Sequence, residues 1–281
     1  MALHLDTGVP AVDAEDDFTR ARRRYELDRL DGWLRREPGE THLLRYDEVV
    51  SALGFRGEYY LGPRTIRLDT VVGTVEETRG FDRRFRPASN RDRQRWEQLD
   101  LAERDGAVIP PIEVYRVGDM HFVIDGHHRV SIAIATGATT IEAYVTEVLT
   151  QISPTGIRGR RDLLVRSYER IFHARVPLPA ADMAKITVTD PWSYAELGEA
   201  VEAWGFRYMQ DKGKFLDRAA VARRWYAEEY VPVVRMMRAA DLIGSRTEAE
   251  AYMRVAAERY RLIMTHDWND EIIERLRRKI R

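Results

Sequence analysis

The chain contains no cysteine, which removes disulfides, thiolate metal sites and cysteine nucleophiles from consideration. Lysine is scarce as well. It occurs only as Lys185, Lys212, Lys214 and Lys279, so arginine supplies nearly all of the 45 basic residues. Arginine suits bidentate contact with carboxylate or phosphate, although genome composition produces the same bias. Net charge is also missing: 45 basic residues against 46 acidic ones leave −1. No global field therefore draws the chain to nucleic acid or to an anionic membrane, while local basic patches survive inside the neutral total. No apolar run approaches the ~20 residues that span a bilayer. The opening MALHLDTGVPAVDAEDD has neither the basic nor the apolar region of a signal peptide. These absences lead us to expect a soluble cytoplasmic protein with no membrane partner.

What is present reads as ordinary globular sequence, 44% hydrophobic and 32% charged over 281 residues. That length suits more than one domain. We expect an N-terminal helical extension over 1–60, a central domain over 61–150 and a helical C-terminal domain over 151–281. The fold class expected is α+β, a mixed sheet with flanking helices followed by a mainly helical region.

Residues 1–15 read as a loose tail. A charged helix is expected from Asp17 to Arg36, with Phe18, Tyr25, Leu27, Leu30 and Trp33 as its apolar stripe and Pro38-Gly39 as its end. A second helix is expected over Leu43–Leu53, and the glycine-rich stretch 54–63 reads as a connector. Ile66 and Leu68 suggest a short strand and Val71-Val72-Gly73 a turn. Ser89 or Asn90 is placed to cap a helix running to Arg104. After Pro110-Pro111 comes a strand with Ile112 and Val114, a two-residue Gly118-Asp119 turn, and a second strand with Phe122 and Ile124. A helix follows Asp125-Gly126, and Ile141, Ala143 and Val145 then alternate along another strand. Helices are expected near 160–174, 192–204, 217–243 (broken at Val231-Pro232), 247–264 and 267–280, with a short strand at Lys185–Thr189. The C-terminal aromatics Trp225, Tyr226, Tyr230, Tyr252 and Tyr260 read as core between packed helices.

The chemistry concentrates at Asp125-Gly126-His127-His128-Arg129, between a strand and the first turn of a helix. The first N–H groups of a helix lack internal partners and point outward at the positive end of its dipole. Glycine there lets an anion approach the backbone, and the histidines and arginine add donors, so the turn reads as a phosphate cradle. Asp125 is placed to orient a histidine, accept a proton or bind a phosphate-borne Mg²⁺. Each residue taken alone fits a bland role, since Asp-Gly is a common turn and Asp before a helix a common cap. It is their combination at this junction that favours phosphate. A second region, Arg79–Arg86, interleaves arginines with Phe81 and Phe85. It suits closure over a triphosphate through Arg83 and Arg84, and equally a solvated loop anchored by its two phenylalanines.

The stretch Val108–Ala133 (VIPPIEVYRVGDMHFVIDGHHRVSIA) resembles the core of the ParB/sulfiredoxin superfamily, over roughly residues 64–150. In that superfamily a Pro-Ile-x-Val strand leads through a hairpin to a glycine turn that holds nucleotide phosphates. The Asp-Gly-His-His-Arg version is the one found in archaeal free-serine kinases. IRLDTVVGTV from Ile66, FDRRFRP from Phe81, WYAEEYVPVV from Trp225 and RTEAE from Arg246 are similar to a group of bacterial ParB-like proteins. The resemblance implies ATP or ADP, with CTP as another candidate, bound with Mg²⁺. It implies Gly126, His128, Arg129, Arg83 and Arg84 as phosphate-binding and Asp125 as metal-binding. Asp125, His127, His128, Glu76 and Asp82 are the catalytic candidates, and Glu77 is a further counterpart of the kinases' upstream acid. The acceptor expected is a small hydroxyl compound.

The departures narrow this reading. His127 stands where sulfiredoxins carry their catalytic cysteine, which excludes sulfinic acid repair. No paired short helices follow the central domain in the manner of a helix-turn-helix, which weighs against chromosome segregation. The alternative is a nucleotide-gated switch, driven by CTP or ATP, that grips DNA or a protein; a homodimer is compatible with either, and a nuclease ranks last.

Overall fold

In a computed structural model the described residues are 7–34, 43–76, 80–263 and 267–280. The chain divides into two compact units, 1–163 and 164–281.

The first unit is built on six strands in the order β1-β3-β5-β4-β6-β2. These are β1 (Leu44–Arg45), β2 (Phe55–Arg67), β3 (Val71–Thr74), β4 (Ile112–Val117), β5 (Met120–Asp125) and β6 (Thr140–Thr150). The sheet is mixed: β1–β3, β3–β5 and β4–β6 run parallel, β4–β5 and β2–β6 antiparallel. Four helices belong to it entirely: α1 (Pro10–Leu34), α2 (Tyr46–Leu53), α3 (Arg93–Arg104) and α4 (His127–Ala135). The fold class is therefore α+β with a helical C-terminal region.

The hairpin β4–β5 turns at Gly118, whose positive φ of 61° is the conformation a two-residue hairpin turn requires. Side-chain alternation then assigns the two faces. Ile112, Val114, Val123, Ala143 and Val145 pack with Val130 and Ala133 of α4, while Val117, Met120, Phe122 and Val148 pack with Val49 and Leu53 of α2. The helix α1 docks through Phe18, which meets Trp96 of α3 edge-on at 5.5 Å, with Ile132 of α4 completing the cluster. Trp96 is fully buried, and its Nε1 donates to Ser131 Oγ at 3.0 Å, so α3 and α4 are tied by a polar bond inside an apolar seam.

Several expectations need correction. The connector expected over 54–63 is the first part of β2, whose bulges at Gly57 and Gly62 let a glycine-rich segment stay paired with β6. The turn expected at Val71–Gly73 is β3, and Leu68 sits in a 3₁₀ turn, Leu68–Thr70. The expected helix over Leu43–Leu53 begins only at Tyr46, after β1. Neither Ser89 nor Asn90 caps α3, which starts at Arg93 with Asp92 at the cap position and no side-chain bond there. The expected tail is helical from Pro10, and Leu27 and Leu30 face solvent; Ala14, Phe18 and Ala21 are the buried apolar face of α1. Trp33's side chain and Pro38-Gly39 lie outside the described residues.

The second unit is helical: α5 (Arg160–Arg175, which enters it from the first), α6 (Ala180–Met183), α7 (Pro191–Lys212), α8 (Arg218–Arg224), α9 (Val231–Ala239), α10 (Glu248–Ile263) and α11 (Asp270–Ile280). No strand forms at Lys185–Thr189, and α7 runs on to Lys212, beyond the end expected at 204. The break expected at Val231-Pro232 is absent as well. A π turn spans Trp225–Tyr230, and Val231 N–H reaches back to the Tyr226 carbonyl. This wider turn makes room for a proline ring that would otherwise crowd the carbonyl four residues back. Trp225, Tyr230 and Tyr252 are buried core residues as expected, whereas Tyr260 is exposed. No described helix is long and apolar enough to cross a membrane.

Candidate functional site

Asp125 ends β5, and Gly126 opens α4 with φ 105°, in the left-handed region. A Cβ at Gly126 would lie 2.5 Å from Ile112 Cγ2 and 3.1 Å from Arg129 Cζ, so both conformation and space demand glycine. No side chain caps this helix start. The first N–H groups of α4 are thus presented at a turn that carries His127, His128 and Arg129.

His127 is held from behind. Its Nε2 lies 2.7 Å from Thr74 Oγ1, and that hydroxyl donates to the Glu76 carbonyl at 2.9 Å. A hydroxyl whose proton points at Glu76 accepts from Nε2–H, which leaves the His127 lone pair on Nδ1. The ring stacks on Phe81 at 6.2 Å and lies 6.3 Å from Phe85. Burial lowers the His127 pKa below the ordinary imidazole value; Asp125 and Glu76 pull it upward and His128 pushes it down. His127 is therefore a neutral imidazole near pH 7.

His128 meets Phe81 edge-on at 5.2 Å, and burial followed by Arg95 lowers its pKa, against Asp92. Its Nδ1 is buried and has no hydrogen-bond partner among the described residues. Arg129 is engaged: Nη1 donates to the carbonyls of Pro110 at 2.5 Å and Pro111 at 2.7 Å, and Nη2 pairs with Asp125 Oδ2. The arginine thus clamps the approach to β4 against the end of β5.

The remaining sequence candidates divide between two places. Glu76 is exposed and close enough to His127 to act on its charge. Glu77 and Arg79 lie outside the described residues. Asp82 is buried and organises its own loop. Its carboxylate accepts from Arg84 N at 3.0 Å, Arg86 N at 2.8 Å, and Arg86 Nε and Nη2 at 2.8 and 2.6 Å. That box holds Phe85 at a φ of 54°, a costly conformation for an aromatic residue, with its ring buried. Arg83 and Arg84 project outward from this loop and are exposed. Arg83 Nη2 donates to the Arg158 carbonyl at 3.0 Å, and Arg84 Nη1 donates to Asp28 at 3.0 Å. Arg83 and Arg84 line a large cavity, and none of Asp125–Arg129 does.

Sequence reasoning overlooked Thr74, Asp28 and the Pro110-Pro111 carbonyls. Thr74 and Asp28 carry no local signal, because their roles depend on contacts 53 and more than 50 residues away in sequence. The two carbonyls were legible in part: a diproline cannot donate, so its oxygens are natural acceptors for a nearby arginine.

No family model matches the chain, and no curated protein matches it. Among solved structures, a Pnob8-like ParB-N domain aligns over 78% of this chain and 80% of its own length, with 11% identity and a TM-score of 0.23.

Proposed function

We propose that the turn Asp125–Arg129 binds the phosphates of an adenine nucleotide, ATP or ADP, and that the protein is a ParB-like, Mg²⁺-dependent phosphotransferase or nucleotide hydrolase. One observation carries the reading: an uncapped helix start opened by a left-handed glycine, with the unpartnered His128 Nδ1 beside it. Both features are what a bound anion would satisfy.

The residues divide the work as follows. Backbone N–H groups after Gly126 cradle a phosphate, and His128 approaches a second oxygen. Arg129 exchanges the Asp125 carboxylate for phosphate, which releases Asp125. No cluster of three or more metal-binding side chains exists among the described residues. The site therefore fits Mg²⁺ only as an ion carried by the nucleotide and met by the single carboxylate of Asp125, the usual mode for this cation. Bound there, the ion would supply neutralisation of the transferring phosphoryl group. Neutral His127, fixed by Thr74, takes the proton of a small hydroxyl acceptor or of water at Nδ1, and Glu76 stabilises the imidazolium that results. Asp82 acts at one remove by positioning the arginine loop.

Isothermal titration with ATP, ADP, CTP and GTP, each with Mg²⁺, tests the site. Micromolar adenine-nucleotide binding is expected, lost in Arg129→Ala with the circular dichroism spectrum retained. Unchanged binding in that variant would remove the site from this turn. A preference for CTP would favour the second reading, a nucleotide-gated switch. That reading has its own support: α4 touches α1 and α3 through Ile132, Trp96 and Phe18, so an anion at its N-terminus bears on both helices.

A further inference from the structure

A cavity of about 1340 Å³ in the first unit is a different place from the glycine turn. Its walls come from α1, the loop 82–86, β3 and the segment around Thr139 that follows α4. Its interior is apolar, with Leu44, Leu68, Val71 and Phe85 all buried. Its charged groups are six arginines against three aspartates, with no lysine or glutamate.

The pairing of those charges decides the sign of the site. Asp28 is shared by Arg84 and Arg86, Asp82 is bound to Arg86, and Asp69 to Arg67. None of these three lining carboxylates is left for the other three arginines. Among the described residues Arg83 donates only to the Arg158 carbonyl, and Arg29 and Arg158 have no ion pair. Three uncompensated guanidiniums thus surround a concave apolar wall, where low-dielectric surroundings focus their field. Guanidiniums are also fork-shaped donors that match carboxylate, sulfonate or phosphate oxygens.

We propose that this cavity is a second ligand site, for a small organic anion that carries an aromatic or aliphatic body. The anionic end meets Arg29, Arg83 and Arg158, and the body lies against Phe85 and Leu68. The volume exceeds the range of an ordinary small-ligand pocket, so it accommodates a metabolite of nucleotide size. This site stands whether or not the glycine turn binds nucleotide.

Fluorescence titration of the full chain with 8-anilinonaphthalene-1-sulfonate tests it, because that probe joins an anion to an aromatic body. We expect saturable binding of one probe per chain. The uncharged analogue N-phenyl-1-naphthylamine should bind at least tenfold more weakly. Arg29 and Arg158 are both exposed, so Arg29→Glu/Arg158→Glu should fold and should weaken the sulfonate at least tenfold. Ala138→Trp, which projects an indole from an exposed wall position, should do the same by filling the space. Arg129→Ala should leave probe affinity unchanged, which separates this site from the turn. Non-saturable binding, equal affinity for the two probes, or binding untouched by both cavity variants would overturn the proposal.

Discussion

An arginine is held against buried carboxylates in the first unit and another against a single one in the second, and the two arrangements differ in what else the arginine can find. In the first unit Arg104 joins α3 to α1. It meets Asp100 at 3.3 Å and also Asp17, and both acids are buried. In the second unit Arg259 is more deeply buried than Arg104, yet among the described residues its Nε and Nη1 have no hydrogen-bond partner. It lies over the Trp268 ring at 4.0 Å, with Glu229 at 3.7 Å. Glu229 is already committed, accepting from Trp268 Nε1 at 2.7 Å and from Tyr252 hydroxyl at 3.4 Å. Burial lowers the Arg259 pKa, opposed chiefly by Glu229. The cation that stitches two helices is shared by two buried carboxylates; the one beside the π turn depends on a single carboxylate and an aromatic face.

That dependence predicts the largest effect. Removing one partner of a buried ion pair leaves the other charge uncompensated, which costs about 3–5 kcal/mol. Glu229→Ala should therefore destabilise the chain by that amount in chemical denaturation. Glu229→Leu combined with Arg259→Met should be clearly milder, because both charges are gone. If the double variant proves as damaging as the single one, Arg259 matters through its packing on Trp268 and not through its charge.

The next effect is a pH window in the first unit. His121 sits in β5 with Nδ1 2.8 Å from Thr70 Oγ1, and burial, helped by Arg116, lowers its pKa to about 4. Its folded value lies below the unfolded value of about 6.5, so the unfolded chain binds the proton more readily. The stabilisation is complete above pH 6.5 and is lost as pH falls from there towards 4, by about 2–3 kcal/mol. His127 and His128 are shifted in the same direction and add to the slope. Melting temperatures measured from pH 7.5 to 4.5 should fall in the wild type and fall less in His121→Asn. Equal slopes would assign the acid sensitivity to other groups.

The glycines of α4 offer a finer contrast. Gly126 and Gly137 flank the same helix, both with positive φ, at 105° and 85°. Only at Gly126 would a Cβ collide with a neighbour; at Gly137 nothing lies within 4 Å. Gly137→Ala should cost about 1 kcal/mol for the backbone alone, and Gly126→Ala about 1–3 kcal/mol because Ile112 must also move. Gly126→Ala should in addition abolish nucleotide binding while Gly137→Ala preserves it, as read by isothermal titration. Equal stability losses would mean that β4 yields easily.

How much of this was legible in the sequence follows from the range of the interactions. The run from Ile112 to Thr150 was readable because its apolar alternation, its Gly118 turn and its glycine helix start are patterns carried within a few residues, even though β6 finds its partners β4 and β2 far away in sequence. The strand β2 was misjudged because its partner β6 lies some 80 residues on, and pairing overrode the glycines. The π turn was unreadable because Pro232 signals a break locally, while the buried contacts of Trp225, Tyr230 and Tyr252 keep the helix going. At the candidate site, Asp125–Arg129 was evident as a group. What the sequence did not contain was the employment of each member: Arg129 on Pro110 and Pro111, and His127 on Thr74.

The smallest effect concerns the arginine loop, where two aspartates serve the same arginine at different depths. Asp82 is buried and fills its acceptor positions from the loop itself, so Asp82→Asn leaves Arg86 and two backbone donors short and should release Phe85 from its left-handed conformation. Asp28 is half exposed at 50%; its partner Arg84 is more open at 72%, while Arg86, only 12% exposed, keeps Asp82 when Asp28 is lost. Exposed pairs of this kind contribute about 0–1 kcal/mol, so Asp28→Asn should barely shift the melting temperature. Its effect should appear in the cavity instead. Loss of the carboxylate shared by Arg84 and Arg86 adds net positive charge to the wall and should tighten binding of 8-anilinonaphthalene-1-sulfonate several-fold, more at low salt than at high. Weaker binding in Asp28→Asn would mean that Asp28 orients the arginines for the anion and does not merely oppose it.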